Sequence, residues 1–319
     1  MKRNIELNST DEARLLCGPR DGNLRTIEEE AGVEIFARGH KITVEGTGKA
    51  VGKTLEVIEE LLAVIRKGGR IGRRDITYAA RAAGNGNAEG LREVYLDRVE
   101  VSSKRQYITP RSKGQKGYVD AIRGNDIVFG IGPAGTGKTY LAMAMAVNAL
   151  RKQLVSRIIL ARPAVEAGES LGFLPGNLYE KVNPYLRPLY DALYDMVEPT
   201  RIQEYLTRGI IEVVPLAYMR GRTLNNAFII LDEAQNSTPE QMKMFLTRLG
   251  FDSKTVITGD ITQSDLPDSR KSGLKQVINI LKDISGIEFV FLSGEDVVRH
   301  ELVQDIIRAY EKIRGENDG

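Results

Sequence analysis

Apolar residues follow two different periodicities along the chain. Near the start, helical spacing occurs at Leu24, Ile27 and Ala31 and again over 55–65. Between these segments lie two short strand-like runs, 33–36 and 41–44. From about residue 105 onward, strand-length apolar runs alternate with helix-length segments to the end of the chain. That alternation predicts a parallel α/β sheet.

The stretch between these parts is rich in glycine. Gly68, Gly69, Gly84, Gly86 and Gly90 interrupt any regular pattern there. We therefore predict a small α+β domain over residues 1–70, a hinge or linker over 71–104, and an α/β domain over 105–319.

One segment has the complete spacing G-x-x-x-x-G-K-[ST]. Its residues are Gly132, Pro133, Ala134, Gly135, Thr136, Gly137, Lys138 and Thr139. An apolar run, 127–131, precedes it as a predicted buried strand, and 140–150 follows it as a predicted helix. In this order, backbone N–H groups at the helix N-terminus point at one phosphate cluster. We expect this loop to bind a nucleoside triphosphate, with Lys138 at the β- and γ-phosphates and Thr139 as a Mg²⁺ ligand.

Two carboxylates follow a second apolar run, 228–231. Asp232 is expected to hold Mg²⁺ from the tip of that strand. Glu233 is expected to orient and deprotonate a water for in-line attack. A small-molecule kinase uses a substrate hydroxyl instead and does not need this second acid, so the pair favours hydrolysis.

A third strand-like run, 254–257, leads into Thr258, Asp260 and Gln263. In P-loop ATPases with a carboxylate base, such a strand lies between the phosphate-loop strand and the strand that carries the acidic pair. We expect one of these three polar residues to face the γ-phosphate, and Gln263 to position the attacking water. Gln115, 17 residues before Gly132, is expected to read the adenine edge; the alternative is an ordinary polar loop residue.

Composition narrows the class of protein without identifying it. The 45 Lys and Arg residues nearly balance the 43 Asp and Glu residues, so net charge does not indicate a nucleic-acid binder. The single cysteine cannot form an intrachain disulfide, which is typical of a reducing compartment. The start of the chain has no apolar core of signal-peptide length. We expect a soluble cytoplasmic protein that makes no use of a membrane.

The motifs together resemble those of the PhoH-like ATPases, the phosphate-starvation-inducible family. The resemblance covers about 105–300 and is carried by GPAGTGKTYLA, ARPAVEAGE, PLAYMRGRTLNNAFIILDEAQN, QMKMFLTRLG and GDITQSDLP. It implies a RecA-like fold similar to the first motor lobe of superfamily 1 helicases. Gln115, the phosphate loop, Asp232, Glu233 and Gln263 match the nucleotide motifs of that lobe, with ATP and Mg²⁺ as cofactors.

The resemblance also implies partners. Family members of this architecture are associated with ribosome maturation and with the endoribonuclease YbeY. A superfamily 1 helicase has a second lobe that supplies an arginine to the γ-phosphate, and residues 264–319 do not suffice for one. We therefore expect a homo-oligomer, a ring, in which a neighbouring copy supplies that arginine. The candidates are Arg220, Arg222 and Arg248.

The N-terminal part resembles the helix–loop–helix–strand core of a KH domain, with Gly18-Pro19-Arg20-Asp21 in the place of the G-x-x-G loop. Asp21 replaces the second glycine, and its charge would repel a phosphate. A KH-like domain used for assembly is therefore the alternative to RNA binding. Two basic clusters could contact RNA instead: Arg66, Lys67, Arg70, Arg73 and Arg74; Lys104, Arg105, Arg111, Lys113 and Lys116. Arg162 occupies a position where helicase lobes contact the strand.

The leading hypothesis is a cytoplasmic ATPase coupled to RNA metabolism. The alternative is a nucleotide-switched protein scaffold with slow hydrolysis and no unwinding. Stimulation of ATP hydrolysis by single-stranded RNA separates the two, and the sequence leaves unwinding itself open.

Overall fold

The structure is a computed structural model. It describes residues 1–69, 71–84, 91–101, 107–163, 178–263, 266, 272–298, 302–303 and 306, without the side chains of 74, 82–84 and 178–185. The chain divides into two compact units, residues 1–98 with 109–116, and residues 99–108 with 117 onward.

The first unit is an α+β fold. Its elements are β1 (Lys2–Glu6), α1 (Thr10–Cys17), α2 (Gly22–Ala31), β2 (Glu34–Arg38), β3 (Lys41–Glu45), α3 (Gly48–Arg66), α4 (Arg73–Gly84) and α5 (Leu91–Leu96). The strands form an antiparallel sheet in the order β1-β3-β2. The helices and strands predicted from apolar spacing in this part are confirmed.

The core of the first unit is built around α3. The hydroxyl of Thr47 accepts a hydrogen bond from the Ala50 N–H and caps the helix at its start. Apolar residues at spacings of three and four then face the sheet and α2, among them Val51, Ile58 and Leu61.

The expected linker differs from the structure over its described part. Residues 73–84 and 91–96 form α4 and α5, and Ile76, Leu91 and Val94 are buried in the same core as α3. Arg111 forms an ion pair with Asp75 at 2.8 Å within this unit. The described glycines of this stretch, Gly72 and Gly84, lie at the ends of α4, so they do not indicate a segment without secondary structure; Gly86 and Gly90 lie outside the described residues.

The second unit is an α/β fold. Its elements are β4 (Val99–Glu100), β5 (Tyr107–Ile108), α6 (Lys113–Gly124, which begins in the 109–116 segment), β6 (Ile127–Ile131), α7 (Lys138–Arg151), β7 (Arg157–Arg162), α8 (Leu178–Met196), α9 (Pro199–Thr207), β8 (Ile211–Pro215), β9 (Ala227–Leu231), α10 (Pro239–Leu246), β10 (Lys254–Gly259), α11 (Gly273–Leu281) and β11 (Ile287–Phe291).

Six parallel strands form the central sheet, in the order β11-β6-β10-β9-β7-β8. Both faces are covered: Val128 packs into one core cluster and its neighbour Phe129 into the other. The predicted parallel sheet is confirmed, and β10 lies between β6 and β9 as expected. Because the carboxyl ends of parallel strands share one edge, the loops after β6, β7, β9 and β10 meet there.

Among the helices that the structure describes, none combines the length and the apolar character that a membrane crossing requires.

Candidate nucleotide-binding site

The phosphate loop starts from a strand whose five residues are all buried. Gly132 N–H donates to the Gly259 carbonyl at 3.1 Å, which ties the base of the loop to β10. A Cβ at Gly132 would lie 2.4 Å from the Leu292 carbonyl oxygen, so no larger residue fits. Gly137, with φ 81°, is the N-cap of α7 in a left-handed conformation that favours glycine.

Lys138 lies inside the curve of this loop. Its Nζ donates to the carbonyls of Gly132 at 2.6 Å and Pro133 at 2.9 Å. Thr136, which is buried, donates from its hydroxyl to the Pro133 carbonyl at 2.8 Å. Since α7 begins at Lys138, its first N–H groups lack intrahelical acceptors. Together they form a positively polarised cradle suited to phosphate.

Thr139 and Asp232, predicted as the metal ligands, are in direct contact. Asp232 Oδ1 accepts from Thr139 Oγ1 at 2.6 Å and from Thr258 Oγ1 at 2.7 Å. Asp232 is only 4% exposed, and its N–H donates to the Ala161 carbonyl at 2.9 Å. Because the Thr139 hydroxyl donates a hydrogen bond to the carboxylate, the lone pairs of its oxygen remain available to a cation. Hydroxyl and carboxylate oxygens are the hard ligands that Mg²⁺ prefers, so the pair fits this metal.

Glu233 is placed next to this pair by an unusual backbone conformation. Its φ of 53° and ψ of 41° are left-handed, which costs free energy for a residue with a side chain. Its Oε2 accepts from Gln235 Nε2 at 2.5 Å. Arg162 has one guanidinium nitrogen 3.6 Å from Glu233 Oε1 and the other 3.7 Å from Asp232 Oδ2. Its guanidinium thus lies against the two carboxylates.

Gln235 links the acidic pair to the loop after β10. Its Oε1 accepts from the Asp260 N–H at 3.0 Å while its amide donates to Glu233. Asp260 Oδ1 accepts from both the N–H and the hydroxyl of Thr262, at 2.9 and 2.6 Å. Gln235 was not anticipated, although a polar residue two positions after the acidic pair was the available signal.

Gln263 and Thr258 differ in their burial and in their hydrogen bonds. Gln263 is exposed, and its N–H donates to the Asp260 carbonyl at 3.3 Å. Thr258 is buried and donates a hydrogen bond to Asp232, so it orients the carboxylate that is predicted to hold the metal. Asp260 Oδ2 is buried without a hydrogen-bond partner in the described part of the chain. The role of Gln263 toward an attacking water stays a prediction.

Gln115 lies in the 109–116 segment of the first unit. It is 3% exposed, and its Oε1 accepts from the Arg111 N–H at 2.7 Å. Its own N–H donates to Ser112 Oγ at 3.1 Å. Its acceptor atom is thus engaged locally, and adenine recognition stays a prediction.

The three arginines considered for a neighbouring site differ in how they are held. Arg222 forms a two-point ion pair with Glu212, at 2.6 and 2.8 Å. Arg248 NH1 donates to the Arg222 carbonyl at 2.9 Å. Arg220 is exposed, and its guanidinium makes no hydrogen bond or ion pair within the residues that the structure describes.

The basic clusters are partly neutralised. Arg66 pairs with the buried Glu12 at 2.5 Å, Arg111 with Asp75, and Lys116 with Asp97 at 3.3 Å. Each acid lies far enough away in sequence to be missed when charges are counted locally. Arg70, Lys104 and Arg105 lie outside the described residues, as does the side chain of Arg74.

Comparison with known proteins decides the family. The family model described as PhoH-like protein matches residues 107–311. The chain belongs to the PhoH-like family. A PhoH-like protein of Bacillus subtilis (strain 168) is 52% identical over 309 residues, covering 97% of each chain. One from Synechocystis sp. is 48% identical over 97% of this chain and 94% of its own. Protein PhoH of Escherichia coli (strain K12) is 45% identical over 64% of this chain and 58% of its own.

The family and the sheet agree on a P-loop NTPase α/β fold, a class that binds nucleoside triphosphates. A solved structure titled as the Sulfolobus solfataricus SWI2/SNF2 ATPase core in complex with dsDNA is 18% identical, covering 46% of this chain and 31% of its own. Its TM-score of 0.31 is too low to support any inference about function.

Proposed function

We propose that this protein hydrolyses ATP with Mg²⁺. One observation carries the proposal: Thr139 at the start of α7 and Asp232 at the tip of β9 are hydrogen bonded at 2.6 Å, with Glu233 next in sequence. A phosphate cradle, a hard metal-ligand pair and a second carboxylate are thereby within one small volume.

The phosphates bind to the loop 132–137 and to Lys138. Lys138 exchanges its bonds to the loop carbonyls for phosphate oxygens, which restores its charge balance. Thr139 and Asp232 would hold Mg²⁺, which would neutralise phosphate charge at this point of the site. Thr258 keeps the Asp232 carboxylate oriented for this task.

Glu233 accepts the proton of the attacking water. Its side chain is 39% exposed, so water reaches it, while Gln235 restrains one carboxylate oxygen. An amide at this position could hydrogen bond to water but could not take its proton.

The test is the Glu233→Gln variant, with Glu198→Gln on an exposed position of the same unit as the control. We expect the affinity of Glu233→Gln for a fluorescent ATP analogue to stay within about threefold of wild type. Its rate of phosphate release should be at least about 100-fold lower. Wild-type phosphate release by this variant would overturn the proposal.

We further propose that ATP hydrolysis by this protein is coupled to RNA in the cytoplasm, in the maturation of ribosomal RNA with YbeY as a partner. The α+β first unit, with a KH-like order of elements and the exposed Arg20, supports it. Single-stranded RNA should raise the ATPase rate several-fold, and the gain should fall steeply with salt. A rate indifferent to RNA at low salt would favour the alternative, a nucleotide-switched scaffold.

We also propose that the protein works as a homo-oligomer, with Arg220 acting on the neighbouring site. Arg220 follows β8, the strand at the edge of the sheet, and β7, β9 and β10 lie between β8 and β6. Arg222 and Arg248 are held by bonds within the subunit, whereas Arg220 is exposed.

Mixing inactive variants tests this arrangement. Combining Glu233→Gln with Arg220→Ala subunits should restore activity, because some interfaces then have both an intact Glu233 and an intact Arg220. Repeating the mixture with Arg222→Ala, whose side chain forms the internal ion pair, provides the control. Activity per subunit that does not change on dilution, together with no restoration, would contradict the proposal.

A further inference from the structure

Arg162 is an arginine of the same subunit that lies in the site. It is the last residue of β7, where its register partner is Pro215 of β8. The preceding residue, Ala161, accepts the Asp232 N–H at 2.9 Å. The sheet therefore holds the backbones of Arg162 and the acidic pair at a set separation.

The ion pairs that Arg162 makes within the described residues go to those acids. Its side chain is 20% exposed, and its ion-pair partners in the described part of the chain are Asp232 and Glu233. Arg248, by contrast, donates to the backbone carbonyls of Met244 and Arg222. Arg162 instead directs its charge at the metal ligand and at the proposed base.

Glu233 is consequently held at both carboxylate oxygens. Gln235 donates to Oε2, and the Arg162 guanidinium lies 3.6 Å from Oε1. One contact alone leaves the carboxylate free to rotate about its last torsion. Two contacts from different strand ends select one orientation, which is what a base acting on a single water requires.

The order of strands places β7, which ends in Arg162, on the other side of β9 from β6. β7 is separated from β6 by β9 and β10, and the phosphate loop follows β6. The acidic pair follows β9, immediately beside β7. Arg162 thus reaches the base from the side opposite the phosphate loop.

We propose that Arg162 is a positioning residue for Glu233, setting the orientation of the carboxylate that receives the proton of the attacking water. This inference rests on the proposed ATPase function. The role is separate from that of Arg220, which concerns the phosphate of another copy.

Arg162→Ala should lower single-turnover hydrolysis about 10- to 100-fold while the affinity for a fluorescent ATP analogue stays within about threefold. Arg162→Lys should recover part of the loss, since it keeps the charge but not the planar two-nitrogen group. The matched control is Arg157→Ala at the opposite end of β7, where the guanidinium donates to the Asn225 carbonyl at 3.2 Å. It should hydrolyse ATP at the wild-type rate.

A double-mutant cycle separates positioning from general stability. If Arg162 acts through Glu233, adding Arg162→Ala to Glu233→Gln should cause little further loss of hydrolysis. Equal losses in both backgrounds, or unchanged hydrolysis in Arg162→Ala, would overturn the inference. So would a loss of nucleotide affinity equal to the loss of rate.

Two further outcomes distinguish misfolding of a variant from failure of the inference. If Arg162→Ala does not fold, judged by its thermal unfolding, Arg162→Lys and Arg162→Gln replace it, and equal activity of these two would overturn the role of the charge. If Glu233→Gln alone keeps wild-type turnover, the proposed ATPase mechanism fails. If only the Arg162 variants behave like wild type, the mechanism stands and this inference fails.

Discussion

The two units each have a glycine-containing loop in front of a helix, and the loops differ in which residues adopt left-handed backbone. In the loop before α7, Gly135 and Gly137 have φ of 89° and 81°. In the loop before α2, the corresponding conformation belongs to Arg20 and Asp21, with φ of 52° and 58°.

This difference decides what each loop can bind. Without a Cβ, the first loop leaves backbone N–H groups open to a phosphate at close range. The second loop presents two exposed side chains of opposite charge, and Asp21 opposes any phosphate that approaches. The phosphate loop has three glycines within 132–137, whereas the stretch 18–21 has one, and the backbone angles show which residues take the left-handed conformation in each.

The largest expected effect tests the first loop. Lys138→Ala should reduce ATP hydrolysis about 100- to 1,000-fold, because a preorganised positive charge at the phosphates is lost. The fold should survive, since the partners of Lys138 are loop carbonyls. Lys152→Ala at the other end of α7 is the control, and phosphate release measures both. Wild-type activity of Lys138→Ala would contradict the assignment of this loop.

The next effect tests the space that the glycines leave. Gly132→Ala would bring a Cβ within 2.4 Å of the Leu292 carbonyl, a backbone atom that cannot move away easily. We expect nucleotide affinity to fall at least about tenfold and the free energy of unfolding to fall by about 1–3 kcal/mol. Gly117→Ala in α6, where no atom lies within 4 Å of the added Cβ, should instead be neutral or stabilising. Titration and thermal melts measure both; an unaffected Gly132→Ala variant would refute the steric argument.

A pair of buried tyrosines extends the comparison to stability. In the first unit, Tyr95 donates to the Asp75 carbonyl at 3.0 Å, whereas Tyr118 in the second has no partner for its hydroxyl within the described residues. Tyr95→Phe should lower the free energy of unfolding by about 1 kcal/mol, and Tyr118→Phe should leave it unchanged or raise it. Denaturant unfolding measures both; a larger loss for Tyr118→Phe would reveal an unrecognised bond.

The same tyrosines predict alkaline sensitivity. Burial is the main cause that raises the pKa of each hydroxyl well above 10.0, helped by Asp75 at Tyr95 and by Asp232 at Tyr118. Since the folded pKa exceeds the unfolded one, the stabilising contribution is complete below about pH 10 and is lost above it. Tyr118→Phe should weaken the loss of stability above pH 10. An unchanged pH profile in this variant would exclude Tyr118 as a source.

The smallest effect concerns the second loop. Asp21→Gly and Arg20→Gly each relieve one left-handed residue, so each should raise the free energy of unfolding by about 0.5 kcal/mol. Their charge changes are opposite, so RNA affinity should rise a few-fold in the first and fall in the second. RNA affinity that moves in the same direction in both variants would show that backbone shape, not charge, controls this loop.

Much of the candidate site could be predicted from local patterns. The phosphate loop, the tip of β9 and the intervening β10 each lie within a short run of residues whose spacing specifies strand, loop or helix. Thr139 and Asp232, 93 positions apart, meet because both predicted elements end at one edge of a parallel sheet. The helices at 73–84 and 91–96 were missed because nearby glycines obscured their apolar spacing.

The sequence by itself therefore determined most of the elements outside 71–104, the parallel sheet, and the phosphate loop and acidic pair, because these depend on neighbours within a few positions. Only the tertiary structure decided which side chains restrain that pair. The placement of Arg162 against two carboxylates, the bridge from Gln235 to Asp260, and the pairing of Arg66 with Glu12 all join residues on separate segments. Hydrogen bonds and ion pairs depend on distances of about 3 Å between such segments, and strand register and helix packing set those distances.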